Sequence, residues 1–148
     1  MSKKQRVLFL CTGNSARSQM AEGLVNHFLG DRWEAKSAGT EAAGYVHPLA
    51  IAAMADLGID ISSQRSKSMG EYLGMGSDFD VVVTLCQSAS EACAIWPGAE
   101  RLVHLGFDDP ASAAGGEAQR LAAFQHARDA ICRRVFELLA QIENAERE

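Results

Sequence analysis

An uninterrupted apolar run, Val7-Leu8-Phe9-Leu10, passes directly into the polar stretch Cys11-Thr12-Gly13-Asn14-Ser15-Ala16-Arg17-Ser18, and a helical pattern follows at once. Such a short apolar run is typical of a strand that is buried on both faces. Strand, loop and helix in this order form the first half of a parallel βα unit, whose loop lies at the carboxyl end of the strand. This feature therefore predicts both the class of fold and the edge of the sheet where a ligand binds.

The rest of the chain repeats this alternation. Further strands are predicted at 33–37, 80–85 and 102–105, and further helices at about 48–57, 68–74 and 116–145. The first helix is marked by Met20, Leu24 and Phe28, and the last helix has an apolar stripe formed by Leu121, Phe124, Ile131, Val135, Leu138 and Ile142. We expect a single α/β domain over residues 1–148, with a doubly wound, four-stranded parallel sheet.

Size and charge exclude several classes of protein. A chain of 148 residues is long enough for one core and too short for two ordinary domains. No apolar stretch approaches the ~20 residues of a membrane span, and no signal peptide is evident, so we expect a cytoplasmic protein. The net charge of −5 argues against non-specific binding of nucleic acid. The histidines are widely separated and lack zinc-binding spacing, so no metal site is predicted.

The loop after the first strand has the composition of an oxyanion site. Its amides can point inward at the positive end of the following helix, and Gly13 allows a close approach of the backbone. Arg17 can hold two oxygens with its planar guanidinium. We predict that a tetrahedral anion is bound by Thr12, Gly13, Asn14, Ser15, Ala16, Arg17 and Ser18.

Cys11 lies at the start of this loop, where the field that attracts an oxyanion also stabilises a thiolate. Ser18 is expected to cap the helix and to donate to the sulfur. Cys11 is therefore predicted to be a nucleophile. The alternative, a cysteine that only packs at a strand end, does not account for the glycine, arginine and serine at these spacings. A Walker loop is excluded because no Gly-Lys-Ser/Thr follows.

Two other predicted strands end close to groups of chemical interest. The third ends at Leu85-Cys86, and the fourth is followed by Phe107-Asp108-Asp109-Pro110. Because the carboxyl ends of parallel strands lie at one edge of a sheet, we expect these groups on the same edge as Cys11.

Three separated motifs carry a resemblance to a known family: CTGNSARSQMAEG, TLC with a second cysteine seven positions later, and GFDDPA. In this order they resemble the thioredoxin-coupled arsenate reductases, which share the low molecular weight tyrosine phosphatase fold. The likeness covers most of the chain, from Val7 to the last helix. Cys-x5-Arg alone is common to phosphatases, and the added pair, Cys86 and Cys93, favours the reductases.

The resemblance implies how arsenate would be bound and attacked. Cys11 would attack arsenate held by the loop amides and Arg17, while Asp109 would donate a proton to the departing oxygen. Asp108 alone is better explained as a turn residue, since aspartate close to proline favours turns. Phosphate would compete with arsenate.

The resemblance also implies a relay of three cysteines. Cys86 would form a disulfide with Cys11 and release arsenite, and Cys93 would then attack it, leaving Cys86–Cys93. If residues 87–92 are helical, the sulfurs of Cys86 and Cys93 lie ~10 Å apart, so this segment must unwind. Thioredoxin would be the external reductant, although glutaredoxin with glutathione stays an alternative, and no bound cofactor is expected.

Two positions depart from the family pattern. Ala16 stands where phosphatases and many related reductases have a second cysteine, so a disulfide within the loop is impossible. Some members hold a potassium ion; Asn14, Glu22 and Ser37 match that site, but Lys67 stands at its remaining acidic position. We predict that the lysine ammonium replaces the charge of the cation and that potassium does not activate the protein.

Two other functions stay open. A hydrolytic phosphatase acting on phosphotyrosine or a small phosphomonoester would also use Cys11, Arg17 and Asp109, but it needs no cysteine pair, and no tyrosine platform follows Pro110. A non-enzymatic anion or arsenic sensor would need neither the aspartate nor a resolving cysteine. Cys132 matches no motif and is expected to be a core or boundary thiol, and we expect a monomer.

Overall fold

The computed structural model describes residues 4–72, 78–87 and 101–147. In these ranges the chain forms one parallel sheet with the strand order β2, β1, β3, β4. The strands are Gln5–Cys11 (β1), Trp33–Gly39 (β2), Val81–Thr84 (β3) and Leu102–His104 (β4). The α-helices are Arg17–Phe28 (α1), Pro48–Ala55 (α2) and Glu117–Arg147 (α3). The predicted doubly wound α/β sheet is confirmed.

The strand β1 lies inside the sheet, and its side chains are buried on both faces. Val7 and Phe9 face the core that includes the helices, whereas Leu8 and Leu10 pack with Phe79 on the other face. All four β1 side chains are at most 1% exposed. Burying a side chain of this size contributes about 1.5–3 kcal/mol. Burial on both faces is the reason that the sequence shows a continuous apolar run.

The ends of several elements differ from the sequence prediction. The helix predicted at 68–74 is reduced to a 3-10 helix, Met69–Glu71, and residues 73–77 lie outside the described ranges. In α3, Leu139 is fully buried, whereas Leu138 is only partly buried. Phe28, which shares the helical spacing of Met20 and Leu24, is 48% exposed, whereas those two side chains are buried. In the part of the chain that the structure describes, no helix is long and apolar enough to cross a membrane.

The sheet register brings the carboxyl ends of three strands to one edge. Leu10 of β1 lies opposite Thr84 of β3, which lies opposite His104 of β4. The backbone continues this pattern beyond the strands, because Leu85 donates to Leu10 and Phe107 donates to Leu85. The residues that follow β1, β3 and β4 therefore meet at this edge, as the sequence predicts.

Candidate active site

The outer side of the anion loop, residues 11–18, is held by a backing segment, residues 40–47. Four amides of this segment donate to four loop carbonyls over 2.8–3.2 Å: Thr40 to Cys11, Glu41 to Thr12, Ala43 to Gly13 and His47 to Ser15. Two further loop carbonyls are also bonded: that of Asn14 accepts from Gln19 Nε2, and that of Ala16 accepts from the Met20 amide. Since the carbonyls of residues 11–16 face these donors, the inner side of the loop is left to the amides, as in an anion-binding nest.

Asn14 occupies the tightest point of the loop, with φ 48° in the left-handed region. This conformation costs a non-glycine residue roughly 1–2 kcal/mol. The buried side chain offsets the cost through three hydrogen bonds: Oδ1 accepts from the Lys67 amide (2.7 Å) and from Gln19 Nε2 (3.0 Å), and Nδ2 donates to Ser18 Oγ (2.7 Å). The network fixes the loop in one shape before any ligand arrives.

The sulfur of Cys11 lies 2.8 Å from Ser18 Oγ. Ser18 Oγ already accepts from Asn14 Nδ2, so its hydroxyl hydrogen is available to the sulfur. The predicted contact between Ser18 and the sulfur is confirmed. The predicted capping role of Ser18 is wrong: α1 begins at Arg17 and its N-cap is Ala16, which makes no side-chain cap bond. Ser18 lies within the first helical turn, where its hydroxyl faces the sulfur.

Arg17 links the anion loop to the acid loop, which we define as residues 106–109. Its guanidinium is almost fully buried, and Nη1 donates to the carbonyl of Phe107 over 3.0 Å. Nη2 lies 3.9 Å from Asp109 Oδ2. Asp109 in turn caps the 3-10 helix Pro110–Ser112, with Oδ1 accepting from the Ala111 amide over 3.0 Å. The carboxylate is therefore held beside the loop by two partners.

A cavity of about 220 Å³ lies between the anion loop and Asp109 of the acid loop. Its lining consists of Cys11, Thr12, Gly13, Ser15, Ala16, Arg17 and Asp109. The structure thus brings together most of the residues that the sequence predicts for the oxyanion site. Asn14 and Ser18 are different, because both are fully buried; their side chains bond to each other, and Ser18 also contacts the sulfur. Their side chains support the site rather than line it.

Cys86 follows the end of β3, next to the anion loop. It is 2% exposed and disulfide-bonded, while Cys11 and Cys132 carry free thiols. Since neighbouring strands lie ~5 Å apart, the ends of β1 and β3 bring Cys11 and Cys86 close together. Cys93 and residues 88–92 of the predicted helix lie outside the described residues.

Lys67 lies where the sequence predicts a replacement for a cation. Its ammonium is 3.7 Å from Glu22 Oε1 and donates to the Arg65 carbonyl over 2.7 Å. Ser37 Oγ donates to the same Glu22 oxygen over 2.6 Å. Burial lowers the pKa of Lys67, whereas the Glu22 carboxylate raises it. A carboxylate beside an internal ammonium does not fit a potassium ion, so we derive no step through one.

His47 was not singled out by its sequence pattern, yet it touches the site. Its backbone amide donates to Ser15, and its Nδ1 accepts from the Leu49 amide over 3.0 Å as the N-cap of α2. Its ring packs on Phe124, with the centroids 4.6 Å apart. The signal available in the sequence was a polar residue directly before Pro48, because proline favours the first helical position.

The comparisons with known proteins agree with this geometry. Residues 6–148 match the family described as low molecular weight phosphotyrosine protein phosphatase. The chain belongs to this family.

Within the family, the chain is similar to several arsenate reductases, which confirms the resemblance found in the sequence. The chain is 48% identical over 132 residues to the arsenate reductase of Halalkalibacterium halodurans, covering 89% of this chain and 93% of that one. A solved arsenate reductase in the phosphate-binding state superimposes with a TM-score of 0.78 at 35% identity, over 93% of this chain and 98% of the other. A thioredoxin-dependent arsenate reductase of Corynebacterium glutamicum gives a TM-score of 0.73 at 26% identity, over 97% of this chain and 64% of that chain.

Proposed function

We propose that this enzyme reduces arsenate to arsenite and passes the resulting oxidation along its own cysteines. The observation that carries the proposal is the state of two neighbouring sulfurs. Cys11 is a free thiol that lines the cavity of the anion loop, and Cys86, just beyond the end of the adjacent strand, is already in a disulfide. A hydrolytic phosphatase needs the first of these sulfurs and not the second.

The first step forms a bond between sulfur and arsenic. The amides of the anion loop and the guanidinium of Arg17 hold the oxyanion, and the Cys11 thiolate attacks the arsenic. One arsenic–oxygen bond breaks, and Asp109 supplies the proton with which that oxygen leaves as water. General acid assistance of this kind is worth about 10²–10⁴-fold in rate.

The second and third steps move the oxidation away from arsenic. The Cys86 thiolate attacks Cys11 Sγ; the sulfur–arsenic bond breaks and its electron pair stays on arsenic, which leaves as arsenite. Cys93 then attacks the Cys86 sulfur, so that a Cys86–Cys93 disulfide forms and Cys11 returns to the thiolate. A thioredoxin dithiol reduces this disulfide and supplies the pair of electrons for the net reaction. Support for thioredoxin is the structural relative that depends on it.

The test is arsenate-dependent oxidation of NADPH, coupled through thioredoxin and thioredoxin reductase. We expect Cys86→Ser and Cys93→Ser each to abolish repeated turnover, whereas the matched control Cys132→Ser keeps it. With Cys93→Ser, a single equivalent of arsenite should form and a Cys11–Cys86 disulfide should accumulate, which mass spectrometry of the non-reduced peptides identifies. Undiminished turnover in both relay variants would reject the proposal.

A second candidate function, phosphomonoester hydrolysis, is favoured by the same cavity and by the family match. Phosphate is nearly isosteric with arsenate, so the anion loop is expected to accept it. We expect slow hydrolysis of p-nitrophenyl phosphate that requires Cys11 and survives Cys93→Ser. Hydrolysis as fast as arsenate reduction, with no loss of either activity in Cys93→Ser, would make the phosphatase the main activity.

A further inference from the structure

The acid loop is held by two arginines that come from different helices. Arg17, at the start of α1, donates to the carbonyl of Phe107. Arg134, in the middle of α3, donates from Nη1 to the carbonyl of Gly106 over 2.9 Å. The guanidinium of Arg134 also lies over the Phe107 ring, 4.7 Å from its centroid, a geometry favourable for a cation–π interaction. Two consecutive carbonyls that precede Asp109 are therefore each bonded to a cation.

The packing between the acid loop and α3 leaves a gap at the same place. A groove of about 620 Å³ separates residues 106–113 from α3. The helix side of this groove is formed largely by the short side chains of Ala123, Ala127 and Ala130. Arg134 follows Ala130 by one helical turn on the same face. The alanine side chains are too short to fill this gap, so on this side the acid loop is held by the burial of Phe107 in the core and by the contacts of Arg134 with Gly106 and Phe107.

The two arginines differ in whether they also contact a bound oxyanion. The guanidinium of Arg17 lines the anion cavity and must share its donors with a bound oxyanion. Arg134 belongs to α3 and bonds to the far end of the acid loop, so it can keep both contacts when the anion binds. Its contacts with Gly106 and Phe107 fix the position of the backbone that leads to Asp109.

We propose that Arg134 is a positioning residue for the proton-transfer step: it holds Gly106 and Phe107 so that the Asp109 carboxyl faces the leaving oxygen. The proposal rests on the function assigned to Asp109 above. Arg134 acts through the loop and does not touch the substrate. Its loss should therefore slow only reactions whose leaving group needs a proton.

The experiment compares two aryl phosphates that differ in this need. Phenolate leaves only with a proton, whereas 2,4-dinitrophenolate leaves without one. We expect Arg134→Met to lower kcat/KM for phenyl phosphate about 10-fold, a part of the roughly 10²–10⁴-fold that general acid catalysis supplies, and to change kcat/KM for the dinitrophenyl ester less than about twofold. The phenol released in the first turnover suffices as the signal, because attack by Cys11 breaks that bond.

Arsenate is measured with the same variants, since its leaving oxygen always needs a proton. Its kcat/KM should fall by the same factor as that of phenyl phosphate, with the inhibition constant of phosphate unchanged. Arg134→Lys keeps the charge but loses the planar group that stacks on Phe107. Its kcat/KM for phenyl phosphate and for arsenate should lie between the values of wild type and Arg134→Met. The matched control is Arg133→Met, which removes an exposed arginine from the neighbouring position of α3. This variant should leave kcat/KM for both esters unchanged.

Asp109→Asn separates the failure of this inference from the failure of the proposed function. One outcome is that Asp109→Asn slows the cleavage of phenyl phosphate but not that of the dinitrophenyl ester, while Arg134→Met slows neither reaction. In that case the role of Arg134 is rejected and the role of Asp109 as the acid stands. If Asp109→Asn slows both esters equally, Asp109 is not the acid and both assignments fail. Equal loss on both esters in Arg134→Met, together with a lowered melting temperature, would show a merely structural role.

Discussion

Two cysteines lie near the carboxyl ends of adjacent strands of this sheet, and their surroundings differ. Cys11 begins a loop in which the carbonyls of residues 11–16 are bonded from outside, and its sulfur contacts Ser18. Cys86 lies two residues beyond the end of β3 and is in a disulfide. Binding an oxyanion requires donors that are held in place before the ligand arrives. Passing a disulfide onward requires a sulfur that changes its partner.

This contrast explains why one sheet edge can serve both tasks. The anion loop is supported from the backing segment, from Lys67 and from Gln19, so little reorganisation is needed when the anion binds. The sulfur exchange that we propose uses bonds that form and break in turn. The following predictions test the two regions separately, beginning with the largest expected effect.

Replacing the nucleophile separates anion binding from chemistry. Cys11→Ser should lower kcat for arsenate reduction by at least about 10³-fold, because serine is a far weaker nucleophile without an adjacent base. Phosphate binding, measured by calorimetry, should stay within a few-fold of wild type, since the amides and Arg17 are unchanged. Loss of phosphate binding in this variant would show that the loop is not preformed without its sulfur.

The left-handed position in the loop should be sensitive to both hydrogen bonding and backbone freedom. Asn14→Ala removes three buried hydrogen bonds and should lower the free energy of unfolding by roughly 2–4 kcal/mol. Asn14→Gly removes the same bonds but accepts a positive φ, so it should be more stable than Asn14→Ala by about 1 kcal/mol. Urea unfolding measures both. Equal stability of the two variants would mean that the backbone conformation carries no cost.

The ammonium of Lys67 should make the protein indifferent to potassium. At constant ionic strength, replacing choline chloride by potassium chloride should leave kcat/KM for arsenate unchanged. Lys67→Met leaves the Glu22 carboxylate without its nearby ammonium and should lower the free energy of unfolding by roughly 1–3 kcal/mol. Clear stimulation of the wild-type enzyme by potassium would contradict the replacement.

The smallest effect concerns pH and the cap at His47. Burial and the charge of Arg120 lower the pKa of His47 from its ordinary value of 6.5, against the raising effect of Asp109. The unfolded chain thus takes up this proton at a higher pH than the folded protein. The stability due to neutral His47 is therefore complete above pH 6.5 and is lost as the pH falls through the lower folded pKa.

His47→Asn provides the matched comparison, because asparagine also caps a helix and does not titrate. Below pH 6.5, wild type should lose more of its unfolding free energy than this variant does, because asparagine takes up no proton. Urea unfolding at a series of pH values measures the difference. If the free energies of unfolding of the two proteins fall in parallel as the pH is lowered, groups other than His47 cause the loss of stability.

Much of the fold and of the anion loop could be predicted from the sequence, because the features involved are local. The apolar run at β1, the glycine of the loop and the spacing from Cys11 to Arg17 depend on neighbours within a few positions. Ser18 shows where prediction from the sequence fails. Its contact with the Cys11 sulfur was predicted and is present, but it does not cap α1. A helix start that differs by one or two positions decides which residue is the N-cap, and local spacing does not fix that position. The location in the cytoplasm, the monomeric state and the assignment of all 148 residues to one domain stay predictions.

The strand, loop and helix that hold Cys11 follow from the amino-acid sequence alone, because hydrophobic period, turn residues and charge act over short separations. Only the tertiary structure decided what surrounds that loop. The backing segment, the Lys67 amide and the carbonyls held by Arg17 and Arg134 come from positions far apart along the chain. Their contacts follow from how helices and strands pack in three dimensions, which no local pattern encodes.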